Sequence, residues 1–163
     1  AIVGGGAVGV ETALYLAEIG TLSADQLRFM MIFDVEPYEK IKELLNRGSK
    51  DVHIIEMQKA FAKDINPGAR WSILARVRQL GVQMHNLSTV TEIKRDGVWR
   101  QNAEGESFIP ADTVVLAIGA KSNNGLYEQL LGRVDRLNIL GDAAAVAKIP
   151  EAIRSAYRLA ISF

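Results

Sequence analysis

The densest chemical signal lies at the start of the chain, where Gly4-Gly5-Gly6-Ala7-Val8-Gly9 fits the pattern G-x-G-x-x-G. Gly4, Gly6 and Gly9 hold the key positions, and each has its own reason in a dinucleotide-binding turn. The first glycine permits the tight bend, the second lets backbone approach a pyrophosphate, and the third lets helix and strand pack closely. The helix that follows offers unpaired N–H groups and the positive end of its dipole to the phosphates. Such patterns are common, and a purely structural turn is the alternative. Here the turn follows the strand-like Ala1-Ile2-Val3 and opens a helix from about Val8 to Ile19, the context that a dinucleotide site requires.

A dinucleotide site also expects an acidic residue at the end of the second strand, roughly 20 residues on. Glu56 ends the apolar run Val52-His53-Ile54-Ile55 and stands 47 positions after Gly9. Residues 21–50 read as a helical insert, and setting them aside leaves 17 positions, an ordinary spacing. Glu56 would then accept hydrogen bonds from the adenosine ribose hydroxyls, which favours NAD(H) over NADP(H). Met57 follows at the strand end, and Lys59 is the counterweight, a cation within reach of a 2′-phosphate. The plainer alternative is a solvated carboxylate at a strand end.

Several elements must position these groups. Apolar runs at 52–57, 82–87 and 113–118 read as buried strands, with a helix over 71–80 between the first two. In the insert, Ser23 and Gln26 have capping-box spacing, Pro37 suits a first helical turn, and Gly48 ends the second helix. Residues 88–110 change character: Asp96-Gly97 and Gly105 mark turns between three short strands. The tail holds a short helix, a strand at Leu137–Leu140, Gly141-Asp142, and a last helix opening near Pro150. The fold expected is α/β, a Rossmann-like parallel sheet flanked by helices, with a small antiparallel β excursion and a helical insert.

Composition narrows the classes. A net charge of zero gives no support to nucleic-acid or membrane binding. No apolar run spans a bilayer. Without cysteine, this chain holds no disulfide, thiolate metal site or iron–sulfur ligand, which fits a cytoplasmic protein. His53 and His85 stand apart in sequence with no metal-type cluster and no evident partner. Trp71 and Trp99 read as packing residues. No nucleophile–base or paired-carboxylate arrangement stands out, so no catalytic residue is named. The chain opens mid-strand without Met, so further sequence upstream is expected.

Ala1 to Ala13, the 30-residue insert, Val52 to Met57, Asp64-Ile65 with Arg70-Trp71, and Ala111 to Gly119 resemble the C-terminal part of old-yellow-enzyme-like NADH:flavin oxidoreductases. That group includes 2,4-dienoyl-CoA reductases, enoate reductases and trimethylamine dehydrogenase. More broadly, the chain is similar to two-dinucleotide-domain flavoproteins such as the disulfide reductases. The resemblance implies an NAD(P)-binding domain over 1–120 and the returning piece of an FAD-binding domain over 121–163. In such parents, NAD(P)H passes hydride to a flavin; FMN and an iron–sulfur cluster belong to upstream regions. It further implies that Ala117, Ile118 and Gly119 pass close to the nicotinamide, as does the Glu11 carboxylate. Gly141 and Asp142 match a motif whose Asp holds the FAD ribityl chain, although a plain strand-to-helix turn explains that pair equally well. Lys121-Ser122-Asn123 departs from the Arg-Pro-Asn that often follows the glycine strand.

Such a fragment would be inactive alone. Its partners would be the dinucleotide and the parent's missing FAD and barrel domains. The Leu137–Leu140 strand would add to this sheet's edge or pair between two copies, a homo-oligomer. The alternatives are a standalone NAD(H)-sensing module, which has no need of Gly141-Asp142, and a piece of a disulfide- or peroxide-type reductase.

Overall fold

A computed structural model describes residues 1–163. The chain divides into two compact units, Ala1–Ile118 and Gly119–Phe163. The first is an α/β unit built on a four-stranded parallel sheet in the order β3-β2-β1-β7. The strands are β1 (Ile2–Val3), β2 (His53–Ile55), β3 (Gln83–His85) and β7 (Val115–Leu116). Between them run α1 (Ala7–Glu18), α2 (Ala24–Ile32), α3 (Tyr38–Asn46), α4 (Pro67–Gln79) and an antiparallel meander. The meander consists of β4 (Thr89–Lys94), β5 (Gly97–Asn102) and β6 (Gly105–Pro110). The expected fold class is therefore what the chain adopts. No helix is long and apolar enough to cross a membrane.

The strands are apolar on both faces because both faces are covered. Ile2, Val52 and Ile54 pack with Val10, Ala13 and Ala17 of α1 and with Leu74 and Val77 of α4. The small residues on α1 let it lie close to the sheet. On the other face, Ile55 packs with Val98 and Ile109 of the meander. Two-residue turns join the meander strands at Arg95-Asp96 and Ala103-Glu104, so Gly97 and Gly105 each open the following strand.

The paired strands are shorter than their apolar runs, because a ladder ends where its neighbour ends and β1 offers two residues. In the insert, α2 carries the expected capping box but buries no residue. Pro37 is the N-cap of α3 and not its first residue, and only Ile41 anchors that helix in the core. The helix expected over 71–80 starts four residues earlier, at Pro67, where the Asn66 side chain accepts from Gly68 N. Trp71, expected to pack, is 70% exposed on that helix, whereas Trp99 does pack, with its ring 5.3 Å from that of Phe108.

The histidines correct the reading that neither has an evident partner. His53 Nδ1 and His85 Nε2 lie 3.0 Å apart with the rings stacked, and Asp51 Oδ2 lies 3.6 Å from His53 Nε2. Burial, then the Arg100 guanidinium and His53, lower His85 to about 4. An unfolded histidine binds its proton near pH 6.5, so the folded chain resists protonation that the unfolded chain accepts. This contribution to stability is intact above pH 6.5 and is lost as pH falls towards 4. With solvent screening of a half-buried ring, the loss is about 1–2 kcal/mol. Denaturant unfolding at pH 7 and pH 4.5 should show that loss in wild type and a smaller one in His85→Gln; equal losses would remove His85 as the cause.

The second unit holds α5 (Gly125–Leu130), a 3₁₀ turn at Gly141–Ala143 and α6 (Ile149–Ala160). Neither helix has a buried residue. The strand expected at Leu137–Leu140 does not form, and the segment belongs to no sheet. These residues line a shallow depression with Leu126, Tyr127 and Leu130 instead of pairing at a sheet edge.

Candidate functional site

In an open parallel sheet, ligands favour the crevice beyond the strand ends where the winding reverses. In this sheet the reversal falls between β1 and β7, and the glycine turn leaves β1 there. Gly4 N donates to Ile55 O at 2.9 Å, and Ala117 N donates to Val3 O at 2.7 Å, which ties the turn to both neighbouring strands. The approach is close enough to exclude side chains. A Cβ on Gly4, whose φ is +104°, would stand 2.3 Å from Ala117 O. A Cβ on Gly9 would stand 1.9 Å from Gly4 O. Both glycines are thus demanded by the protein's own backbone.

Gly6 differs. Its φ of −71° suits any residue, and a Cβ there would meet nothing nearer than the Asp64 carboxylate oxygens at 3.6 Å. That is ordinary contact with a side chain and involves no backbone, so the interior gives no steric reason for glycine at that position.

Glu56 stands beside the turn. Its Oε2 accepts from Gly5 N at 2.6 Å and its Oε1 accepts from Gln58 N at 2.7 Å. Its backbone is pinned on both sides: Glu56 N donates to His85 O at 2.8 Å, and Ser88 N donates to Glu56 O at 3.0 Å. The side chain is half-buried and keeps contact with solvent.

The residues 57–66 lie over the turn from the other side. Phe61 and Ala62 are buried, and Ala62 N donates to Gly5 O at 2.6 Å. The Asp64 carboxylate accepts from Ala7 N at 2.8 and 3.1 Å. Met57, Lys59, Val8, Glu11 and Ile118 are exposed. The Lys59 carbonyl accepts from the Asn86 side chain, and Lys63 Nζ donates to Gln58 Oε1 at 2.8 Å. The structure therefore brings Gly4, Gly5, Gly6, Ala7, Gly9, Glu56 and Ala117 together. Gly119, Gly141 and Asp142 belong to the second unit. There Gly141 has a φ of +59° and Asp142 Oδ1 accepts from Ala147 N at 3.3 Å, capping its own loop.

Sequence reasoning missed Phe61 and Ala62 as neighbours of the turn, and met Asp64 only as part of a resemblance. Asn66-Pro67, a helix-start pair, was the available signal. It shows that the residues just before it form the loop after β2.

Comparison with known proteins follows the same lines. A family model described as pyridine nucleotide-disulphide oxidoreductase matches residues 1–146. The chain is 46% identical over 162 residues to a metal reductase of Desulforamulus reducens, covering 99% of this chain and 24% of that protein. It is 33% identical over 161 residues to an NADH oxidase of Thermoanaerobacter brockii, covering 98% of this chain and 20% of that protein. The chain thus spans about a quarter or less of these curated relatives. In the solved structure of a 2-naphthoyl-CoA reductase complex, a chain superposes with a TM-score of 0.73 at 24% identity, over 99% of this chain and 20% of that one, which speaks to the fold. With the family model covering residues 1–146, and the glycine turn within its first residues, this chain belongs to the pyridine nucleotide-disulphide oxidoreductase family.

Proposed function

We propose that this chain is the nicotinamide-dinucleotide-binding part of a flavin-dependent oxidoreductase of the old-yellow-enzyme-like NADH:flavin oxidoreductase type. One observation carries the reading: the glycine turn is closed by its own backbone at Gly4 and Gly9 but not at Gly6, which only the Asp64 side chain faces. An open second glycine at the start of a helix suits a pyrophosphate. Glu56 beside it suits the adenosine ribose and favours NADH. Ala117 and Ile118, at the end of β7, would lie along the path to the nicotinamide, with Gly119 and Glu11 next to it by resemblance. The dinucleotide would supply a hydride to a flavin, and the chain's own residues would bind and orient it.

Residues 121–163 would be the returning piece of an FAD-binding domain. Supporting this are the lack of buried residues in α5 and α6 and the exposure of Ile149, Ile153, Tyr157 and Ile161 along α6. The Asp142 carboxylate would then turn from its loop to the ribityl chain. The parent would contribute the rest of the FAD site, with FMN and the iron–sulfur cluster elsewhere in its length. The identity of the final acceptor follows from those other parts.

Gly6→Ala separates ligand binding from folding. Its Cβ clears the interior, so the thermal midpoint should stay within about 2 °C of wild type. It intrudes on the open side of the turn, so NADH affinity should fall about tenfold or more. Titration by calorimetry reads the second effect. Unchanged NADH binding in Gly6→Ala, or bound FAD with steady NADH turnover by this chain alone, would overturn the reading.

A further inference from the structure

We propose that Asp64 is a built-in competitor for the phosphates of the dinucleotide and sets how tightly this site holds them; the inference rests on the reading of the glycine turn given above. Asp64 comes from the loop between β2 and α4, 57 residues away from Ala7 in sequence. Its two carboxylate oxygens lie 2.8 and 3.1 Å from Ala7 N, the first residue of α1. The same oxygens lie 3.6 Å from where a Cβ on Gly6 would be. The carboxylate therefore stands on the open side of the second glycine, in the space that a pyrophosphate must enter.

The chemistry of the two groups is the same. Each is an anion that accepts from an unpaired N–H at the positive end of a helix. The Ala7 N–H carries one proton and can serve one of them well. Side by side they also repel, because two negative charges a few ångströms apart are disfavoured even near a surface. Binding must displace Asp64, and its hydrogen bond opposes the displacement.

The loop is built to allow it. Phe61 and Ala62 are buried, and Ala62 N is fixed to Gly5 O, so the root of the loop is anchored on the turn. Asp64 itself is exposed, and rotation of its side chain about Cα–Cβ would leave that root in place. With no ligand bound, the carboxylate caps α1 and keeps the turn in the shape that a phosphate needs. The site exchanges one anion for another, and the exchange lowers affinity and hastens release. That suits a carrier that must give up its oxidised dinucleotide in every cycle.

The test compares wild type, Asp64→Asn and Asp64→Ala by calorimetric titration with NADH, inorganic pyrophosphate and adenosine. Both substitutions remove the competing charge, and the Asn variant keeps an oxygen to accept from Ala7 N, so it should hold its thermal midpoint. Both should bind NADH and pyrophosphate about fivefold more tightly than wild type, with adenosine unchanged. A purely structural role would move all three ligands together. Wild type that binds NADH, with no gain in either variant or an equal gain for adenosine, overturns the competitor role alone. No NADH binding in wild type or either variant overturns both this inference and the dinucleotide reading.

Discussion

Gly9→Ala should unfold this chain far more readily and abolish dinucleotide binding. The added Cβ would stand 1.9 Å from Gly4 O and 3.0 Å from Gly4 C, with Ala117 Cβ 3.4 Å away. None of these is the flexible end of a side chain. Gly4 N is held by Ile55 O, and Val3 O by Ala117 N, so relief must come from moving α1 off the sheet. Val10, Ala13 and Ala17 would lose contact with Ile2 and Ile54. Overpacking of this kind costs typically 1–3 kcal/mol, and a backbone clash sits at or beyond the upper end. With about 3 kcal/mol lost, the thermal midpoint of a chain this size should fall by roughly 6–12 °C. Gly6→Ala is the control, because it alters the same turn without the clash. A Gly9→Ala chain as stable as wild type would mean that the turn relaxes freely and that its tight geometry is not what joins α1 to the sheet.

The contrast between Gly9 and Gly6 shows what the sequence makes legible. The pattern of glycines predicts a tight turn and a close helix, and both are present. The apolar runs predict parallel strands covered on both faces, and the turn residues predict the meander. Leu137–Leu140 shows the limit. Three apolar residues in a run of four fit a strand by pattern, but a strand exists only through its neighbours, and here the residues belong to no sheet. His53 and His85 fail for a related reason. They lie 32 positions apart and meet only because β2 and β3 pair in register, which puts both on the sheet face that the meander covers. The contacts of Phe61, Ala62 and Asp64 with the glycine turn likewise span more than 50 positions. No local period encodes them; they follow from β2 lying beside β1. What reads directly from sequence is each element's own geometry, while the rim of the site depends on which elements end side by side.

Glu56→Gln should erase a preference of about tenfold for NADH over NADPH. A 2′-phosphate would stand beside the carboxylate, and a pair of unit charges 4 Å apart costs about 4 kcal/mol at an effective dielectric near 20. Salt and solvent at a half-exposed site screen much of that, and a third of it is still roughly tenfold in affinity. The structure adds a constraint on what the substitution can do. Glu56 already accepts from Gly5 N and Gln58 N, so the carboxylate is fixed against the turn and cannot rotate away from a phosphate. Nor is a compensating cation held at it: Lys63 donates to Gln58, and Lys59 is fixed through its carbonyl, with its exposed side chain the nearest counterweight in sequence. Glutamine keeps one oxygen for one of the two N–H groups and removes the charge, so NADPH should gain most and NADH should change little. Alanine should be worse for both. It leaves Gly5 N without its partner and takes away the ribose acceptor, a loss of about 2 kcal/mol or roughly thirtyfold in NADH affinity. Titrating both cofactors against wild type, Glu56→Gln and Glu56→Ala resolves the two effects. Tighter NADPH binding in wild type, unmoved by glutamine, would mean that Glu56 serves to hold the turn and does not read the ribose.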